Sequence, residues 1–339
     1  MALFAFWNLE NLFAPESFED REPWIAKKFA KTLEGWSDDF FQQKLVQLAR
    51  VLSVMGDGSG PDVLGVCEVE NAFVLKQLSS RLKSATGREY RFVHANSAHD
   101  KRGIDTAFIY ASNSFEVVPG SLFSHWVLRR TGTRDITQVT FKSRLTGNSV
   151  VALSNHWPSR MGGESESSAG FRSVAGETLA YWHERIREEL GPKIPIIAMG
   201  DLNDAPWDAS VKFNANATRE LGDVERSLSA RFFNASWQFL STPCTDHRGR
   251  DRIVDGTLYY KGNGNVFDQI LLNKSLCRGE AGFTADLATA RVFTPSFMVS
   301  HESGQGPIRY GLPRRGDVAS IDTEGYSDHF PVLIEVRET

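Results

Sequence analysis

Tyr326-Ser327-Asp328-His329-Phe330-Pro331, followed by the apolar run 332–336, is the stretch on which the reading of the fold turns. An acid and an imidazole stand side by side where the chain enters a strand. In an extended strand, neighbouring side chains point to opposite faces. Both can serve one site only if the turn before the strand delivers them, and Ser327-Asp328 with the following Pro331 suits such a turn. Four other segments close in the same way: Leu3-Phe4-Ala5-Phe6-Trp7-Asn8, Val63-Leu64-Gly65-Val66-Cys67-Glu68, Val150-Val151-Ala152-Leu153-Ser154-Asn155-His156, and Ile196-Ile197-Ala198-Met199-Gly200-Asp201-Leu202-Asn203. Each is an apolar run that stops at a carboxylate, an amide or an imidazole. Buried strands converging on polar ends make a rigid pocket floor.

Asn8, Glu68, Asp201, Asn203 and Asp328 offer only oxygen ligands. Such oxygens suit hard ions, namely magnesium, calcium or manganese. No array of Cys and His points to zinc. Glu68 has a second reading, because an acid favours the N-terminus of the helix expected after it. Glu10 and Asn11 are read as fixing the loop after the first strand, not as ligands.

The chain has 339 residues, 41% of them hydrophobic, which is enough for a large core. A net charge of −4 excludes a globally basic nucleic-acid coat, but not a local basic cleft beside a metal. Three scattered cysteines, Cys67, Cys244 and Cys277, form no close pair and suit a reducing compartment. The apolar N-terminal run lacks preceding Lys or Arg and ends at Asn8, so it reads as a strand and not a signal peptide. No stretch is long and apolar enough to span a bilayer. The expected location is the cytoplasm, unless a leader has been removed.

Phe41, Leu45, Leu48, Ala49, Leu52 and Met55 have helical spacing, with Asp38 as a cap and Gly56 as a stop. A second helix is expected after Glu68, on Phe73, Val74, Leu75, Leu78 and Leu82, and a third over 177–190. Strand-like runs fall at Tyr90–His94, 106–110, 115–118, 136–142, 194–199, 266–272 and 332–336. Several lie too close together to hold helices between them, which predicts antiparallel pairing in a mixed sheet. Three polar stretches, 162–170, 242–264 and 295–326, read as loops. The last carries Arg309, Arg314 and Arg315 and leads into Asp328-His329, so it is expected to form a substrate-facing rim. Candidate site residues run from Asn8 to His329, so residues 1–339 are expected to form one catalytic domain.

Taken together the motifs resemble the endonuclease/exonuclease/phosphatase superfamily, which has the DNase-I-like fold. The strings that carry the resemblance are Trp7-Asn8-Leu9-Glu10-Asn11, Cys67-Glu68-Val69-Glu70-Asn71, Arg102-Gly103-Ile104-Asp105, Asn155-His156-Trp157-Pro158-Ser159-Arg160, Gly200-Asp201-Leu202-Asn203, Phe267-Asp268-Gln269-Ile270-Leu271 and Ser327-Asp328-His329. They follow the family's order over nearly the whole chain. The resemblance implies an α/β, four-layer sandwich of two mixed β-sheets flanked by helices. It also implies roles. Asn8, Glu68 and Asp328 look like metal-side residues, and Asp201 and Asn203 like the pair that positions water and phosphate. His329 looks like a catalytic imidazole backed by Asp268, and His156 like a second one backed by Asp105. Arg134 sits where the family often has an arginine near the site. Arg160 is a candidate for phosphate contact or a solvated loop charge.

Two departures narrow the branch. Asp204-Ala205-Pro206 after Asn203 does not match the inositol-polyphosphate phosphatase signature, and His156-Trp157-Pro158-Ser159 stands where abasic-site repair enzymes have Tyr-x-x-Asn. The opening and the Asn-His-Trp-Pro-Ser-Arg segment resemble bacterial endonuclease-like members. The expectation is therefore a metal-dependent phosphodiester hydrolase, a nuclease of broad specificity with DNA as its partner and magnesium as its cofactor, manganese or calcium being the alternatives. A phosphodiesterase or phosphatase acting on a small molecule or lipid head group is the second reading. A catalytically inactive scaffold is the third.

Overall fold

The computed structural model describes the chain apart from residues 98–99, 129–131, 161–164 and 315. In chain order the strands are β1 Ala2–Leu12, β2 Val63–Val69, β3 Tyr90–His94, β4 Asp105–Ala111, β5 Phe115–Val117, β6 Phe123–His125, β7 Ile136–Ser143, β8 Ser149–His156 and β9 Ile196–Asp201. They continue with β10 Ala217–Thr218, β11 Phe232–Asn234, β12 Thr242–Thr245, β13 Asp251–Val254, β14 Leu258–Tyr260, β15 Asn263–Asn265, β16 Asp268–Asn273, β17 Phe283–Val292 and β18 Val332–Glu338. The α-helices are α1 Pro23–Phe29, α2 Asp38–Ser53, α3 Ala72–Thr86, α4 Ser165–Leu190, α5 Leu221–Arg226 and α6 Lys274–Arg278.

One sheet runs β17-β18-β1-β2-β4-β3, and the other runs β10-β11-β16-β9-β8-β7-β5 with β6 paired to β7. Both are mixed: β1 pairs with β2 and β8 with β9 in parallel, while β18 against β1 and β16 against β9 are antiparallel. Period-two alternation explains how the sheets stack. In β8, Val150 and Ala152 join the large core between the sheets, while Val151 and Leu153 join a second core under α4. In β9, Ile197 and Met199 face the first core, and Ile196 and Ala198 the second. Strands buried on both faces read as continuous apolar runs, which is why these were visible in the sequence. Helix α2 buries Phe41, Leu45, Leu48 and Leu52 in the large core and packs on α3. The result is the expected four-layer sandwich.

Local expectations differ from the structure in several places. Ser37, not Asp38, caps α2, accepting from the Phe40 amide, and Asn71, not Glu68, caps α3, accepting from the Phe73 and Val74 amides. Helix α4 begins at Ser165, inside the stretch read as loop. Its Ser- and Gly-rich first turns have poor helix propensity, but Arg172 ties them down by an ion pair with Asp204 at 2.7 Å. Gly176 lets the helix lie against Ser210, whose carbonyl oxygen would be 2.4 Å from an added Cβ. The 242–264 stretch is not irregular but folds into two small hairpins, β12-β13 and β14-β15.

His183 on α4 is buried and stacks on Phe232 with ring centroids 3.8 Å apart. Burial, with the Arg187 charge adding to it, holds its imidazole down at about 3, below the ordinary 6.5. The folded state thus refuses a proton that the unfolded chain accepts. His183 leaves stability untouched above about pH 6.5 and weakens it as pH falls from there towards about 3. His183→Phe keeps the stacking ring and should flatten this part of the acid slope. Urea unfolding of both proteins at about pH 7 and about pH 5 reads it directly. Parallel slopes would mean that His183 is protonated within the fold.

Candidate active site

Register brings the polar strand ends together. His156 on β8 lies across from Asp201 on β9, and Asp201 lies across from Asp268 on β16. In the other sheet Asn8 lies across from Cys67. The ladder breaks just beyond, between Cys67 and Val69, and Glu68 occupies the gap with φ 62°. Glu10, Asn11 and Asn203 also hold positive φ, at 50°, 51° and 51°. A bulge of this kind re-aims a side chain, and a left-handed non-glycine backbone persists only where the surroundings over-determine it. Here it turns the Glu68 carboxylate towards the site, with Oε2 accepting from the Asn11 amide at 2.8 Å.

The turn before β18 behaves as its sequence implied. Ser327 Oγ donates to the Asn8 carbonyl at 2.7 Å and accepts from the His329 amide at 3.1 Å. Trp7 Nε1 donates to the His329 carbonyl at 2.8 Å. The Asp-His pair is therefore stapled to β1 from both sides. His329 Nδ1 meets Asp268 Oδ2 at 2.7 Å, the pairing expected from the sequence. Its Nε2 lies 3.9 Å from Asp201 Oδ2, 3.8 Å from Asp328 Oδ1 and 3.4 Å from Asn8 Nδ2.

Asp201 Oδ2 is the centre of the arrangement. It accepts from Asn8 Nδ2 at 3.1 Å and lies 3.7 Å from His156 Nε2. His156 Nε2 is also 3.7 Å from Glu68 Oε1. Asp201 Oδ1 accepts from the Asn203 amide, which closes a short turn, and Asn203 Nδ2 donates to the Trp157 carbonyl at 3.0 Å. Of the candidate residues, Asn8, Glu68, His156, Asp201, Asn203, Asp268, Asp328 and His329 are assembled in this way.

Three candidates are placed differently. Asp105 does not back His156. Its Oδ2 pairs with His94 Nε2 at 2.9 Å and its Oδ1 accepts from the Ser97 amide, because β3 and β4 are antiparallel neighbours. His156 Nδ1 is buried and has no hydrogen-bond partner among the described residues. Arg160 is held by Asp204 at 2.7 Å, by Asp208 and by the Asn203 carbonyl, so its Nε and Nη2 donors are committed inside the protein. Arg134 is buried and donates to the Trp157 carbonyl at 2.7 Å, so it reaches the site through its charge. Arg315 lies outside the described residues.

Electrostatics divides the two imidazoles. Burial would lower the His329 value, but the charge and hydrogen bond of Asp268, then Asp201 and Asp328, raise it well above the usual one. Burial, followed by the charges of Arg134, Arg102 and His329, drives His156 well below the usual value, so it stays neutral. Asp201 is pushed up to about 7, by burial first and also by the Asp268 and Glu68 charges, against the lowering effect of His329. Glu10 also rises to about 7, by burial and then Asp328. Among the described residues its Oε2 is buried without a hydrogen bond, as is Asp268 Oδ1. The sequence did not reveal the network behind this wall. Lys44 is fully buried and donates to the carbonyls of Glu10 and Tyr310, and Arg309 Nε donates to Glu10 Oε1. A lysine on the apolar face of α2 was the available signal.

This donor set fits a hard dication. Glu10 Oε2 and Asp268 Oδ1 are buried with no hydrogen-bond partner among the described residues, and the Asp268 and Glu68 charges help to raise Asp201. Among the described residues no three His, Cys, Asp or Glu side chains are already drawn together as a cage. A magnesium site needs only one or two carboxylates, with water and phosphate oxygens completing it.

The sequence profile of the endonuclease/exonuclease/phosphatase family matches residues 3–338. The chain belongs to this family. Its members are hydrolases of phosphoester bonds. Solved structures agree on the fold. A mannosyl-6-phosphatase of Bacteroides thetaiotaomicron is 16% identical, with 99% of each chain covered and a TM-score of 0.56. The human Nocturnin catalytic domain with bound sulfate is 17% identical, with 100% of this chain and 93% of that one covered, at 0.56. D. rerio TDP2 complexed with a single-strand DNA product is 14% identical, with 99% and 98% covered, again at 0.56. No curated protein matches the sequence.

We predict that Glu68→Gln leaves the fold intact and weakens magnesium or manganese binding at least about tenfold, since it removes a charged oxygen ligand. Calorimetric titration of metal into both proteins is the check. Unchanged affinity would remove Glu68 from the ligand set.

Proposed function

We propose that this chain is a divalent-metal-dependent phosphodiesterase that cuts DNA. The observation that carries the reading is the Asp268–His329 pair facing Asp201, Asn8 and Glu68 across one buried polar floor. Enzymes of the family generally use divalent metals. Asn8, Glu68 and Asp328 would hold the ion, magnesium by preference. When bound, it would neutralise phosphate oxygens and the leaving oxygen.

The chain's own residues supply the rest. Asp268 fixes the His329 tautomer and stabilises its imidazolium, so the ring, in its neutral form, is a strong acceptor at Nε2 for the proton of a water beside it. Asp201, backed by Asn8 and the Asn203 amide, is placed to orient that water. His156 was expected to be a second catalytic imidazole backed by Asp105. Held neutral and, among the described residues, without a backing acid, it is better suited to hydrogen-bonding a phosphoryl oxygen than to giving up a proton. Asn8 and Asn203 add dipoles without charge, aimed where negative charge grows. The whole of residues 1–339 serves as one catalytic unit, and a cytoplasmic location suits the three unpaired cysteines. No helix among the described residues is long and apolar enough to cross a membrane.

A phosphatase acting on a small phosphorylated molecule is the second reading, because the similar structures include a mannosyl-6-phosphatase as well as a DNA-bound TDP2. One panel separates them: supercoiled plasmid, single-stranded DNA, RNA, sphingomyelin and a sugar monophosphate, each with magnesium, manganese or chelator. The proposal expects plasmid cleavage that chelator abolishes. Release of phosphate from the sugar ester with intact plasmid would replace it by the second reading.

A further inference from the structure

The loop that leads into Asp328-His329 shapes a cleft of about 370 Å³. Its chemistry is not part of the catalytic floor described above. His247, His301, Arg309 and Arg314 line it, together with the carboxylates of Glu302 and Asp322. The walls are built, not loose. His247 holds the Val299 carbonyl through both its backbone amide and Nδ1 at 2.8 Å, which leaves Nε2 as its remaining ring nitrogen. The Arg252 guanidinium donates to the carbonyls of Ser300 and Gln305 and so pins the far wall to the hairpin β12-β13. The ring of His301 packs edge-on against His247 at 4.9 Å, and its Nδ1 is buried with no hydrogen-bond partner among the described residues.

Donors are in surplus here. Arg309 spends Nε on Glu10 and keeps both Nη groups without a partner among the described residues, with its side chain 51% exposed. Arg314 is exposed, and its side chain has no partner among the described residues. The acceptors are partly occupied. Asp322 Oδ1 takes the Glu324 amide, and Glu302 takes the Gln305 side chain. The cleft is therefore no general anion trap, but it presents guanidinium forks that match a phosphate.

Arg309 joins this cleft to the catalytic floor. Its partner Glu10 follows Asn8 by two residues. The backbone around the pair is packed tightly. An added Cβ at Gly311 would come within 3.0 Å of Glu10 Oε1, and one at Gly325 within 2.2 Å of the Arg309 carbonyl oxygen. The guanidinium thus has a fixed place between two sites.

We propose that this cleft is a second phosphate subsite, which takes a phosphate of the substrate next to the one being cleaved. It rests on the phosphodiesterase reading and adds that the enzyme measures its substrate by two phosphates. Nucleotides with one or two phosphates are the probes. Thymidine 5′-monophosphate and thymidine 3′,5′-bisphosphate would be titrated by calorimetry, with magnesium, into the wild type, into Arg314→Ala/His301→Ala, and into Arg314→Lys. Melting temperatures confirm that each variant is folded. The wild type should bind the bisphosphate at least about tenfold more tightly than the monophosphate, as expected for one added set of charge-assisted hydrogen bonds. The double variant should lose that preference and keep its monophosphate affinity, while Arg314→Lys should keep part of it. Equal affinity of the wild type for both probes would overturn the proposal. So would a preference that survives in the double variant, or an equal loss for both probes. Binding of neither probe by the wild type would remove the phosphodiesterase reading along with the subsite.

Discussion

The site depends on one register. Strand β16 runs antiparallel to β9 so that Asp268 stands opposite Asp201, and β8 runs parallel to β9 so that His156 stands opposite the same residue. A slip of one residue in either pairing would turn every side chain of that strand to the other face. It would also exchange the two cores, because Val150 and Ala152 belong to one and Val151 and Leu153 to the other. Core packing and site geometry are thus fixed by the same ladder. The cost of misplacing the chemistry is the cost of misfolding the sandwich.

The opposite sheet meets this row with a different device. A regular strand would carry Glu68 away from the site, so β2 breaks its ladder there, and β1 breaks its own at Glu10 and Asn11. Four non-glycine residues with positive φ crowd the floor. Lys44 holds the Glu10 carbonyl, the Asn11 amide donates to Glu68 Oε2 and the Asn203 amide donates to Asp201 Oδ1. Rigid strand ends then leave the loops free to differ. Under the proposed function, substrate choice would lie with the rim, including the 295–326 stretch.

Much of this was legible in the sequence, and the reasons are physical. Strands buried on both faces leave continuous apolar runs, so β1, β2, β8 and β9 were visible together with the polar residues that end them. The Asp268–His329 pair was reached through motif order. What could not be read was geometry set by contacts distant in sequence. The bulge at Glu68 has no local signature. Asp105 pairs with His94 because β3 folds back on β4, and motif spacing gave no hint of that partner. The start of α4 has weak propensity and is held by Arg172 on Asp204, 32 positions on in the chain. Strand β17 was missed because its Thr- and Ala-rich sequence buries residues only intermittently at the edge of its sheet.

The proposed chemistry turns on Asp268, which would make His329 the proton acceptor of a phosphodiesterase. Asp268→Asn tests it most directly, because the amide keeps the volume and can still hydrogen-bond His329 Nδ1, but it favours the wrong tautomer and removes the charge. Single-turnover cleavage of DNA by wild type and variant, with magnesium and at equal substrate occupancy, is the measurement. We expect a rate lower by about 10²–10⁴-fold with an unchanged melting temperature and substrate affinity. An undiminished rate in a folded Asp268→Asn protein would contradict it.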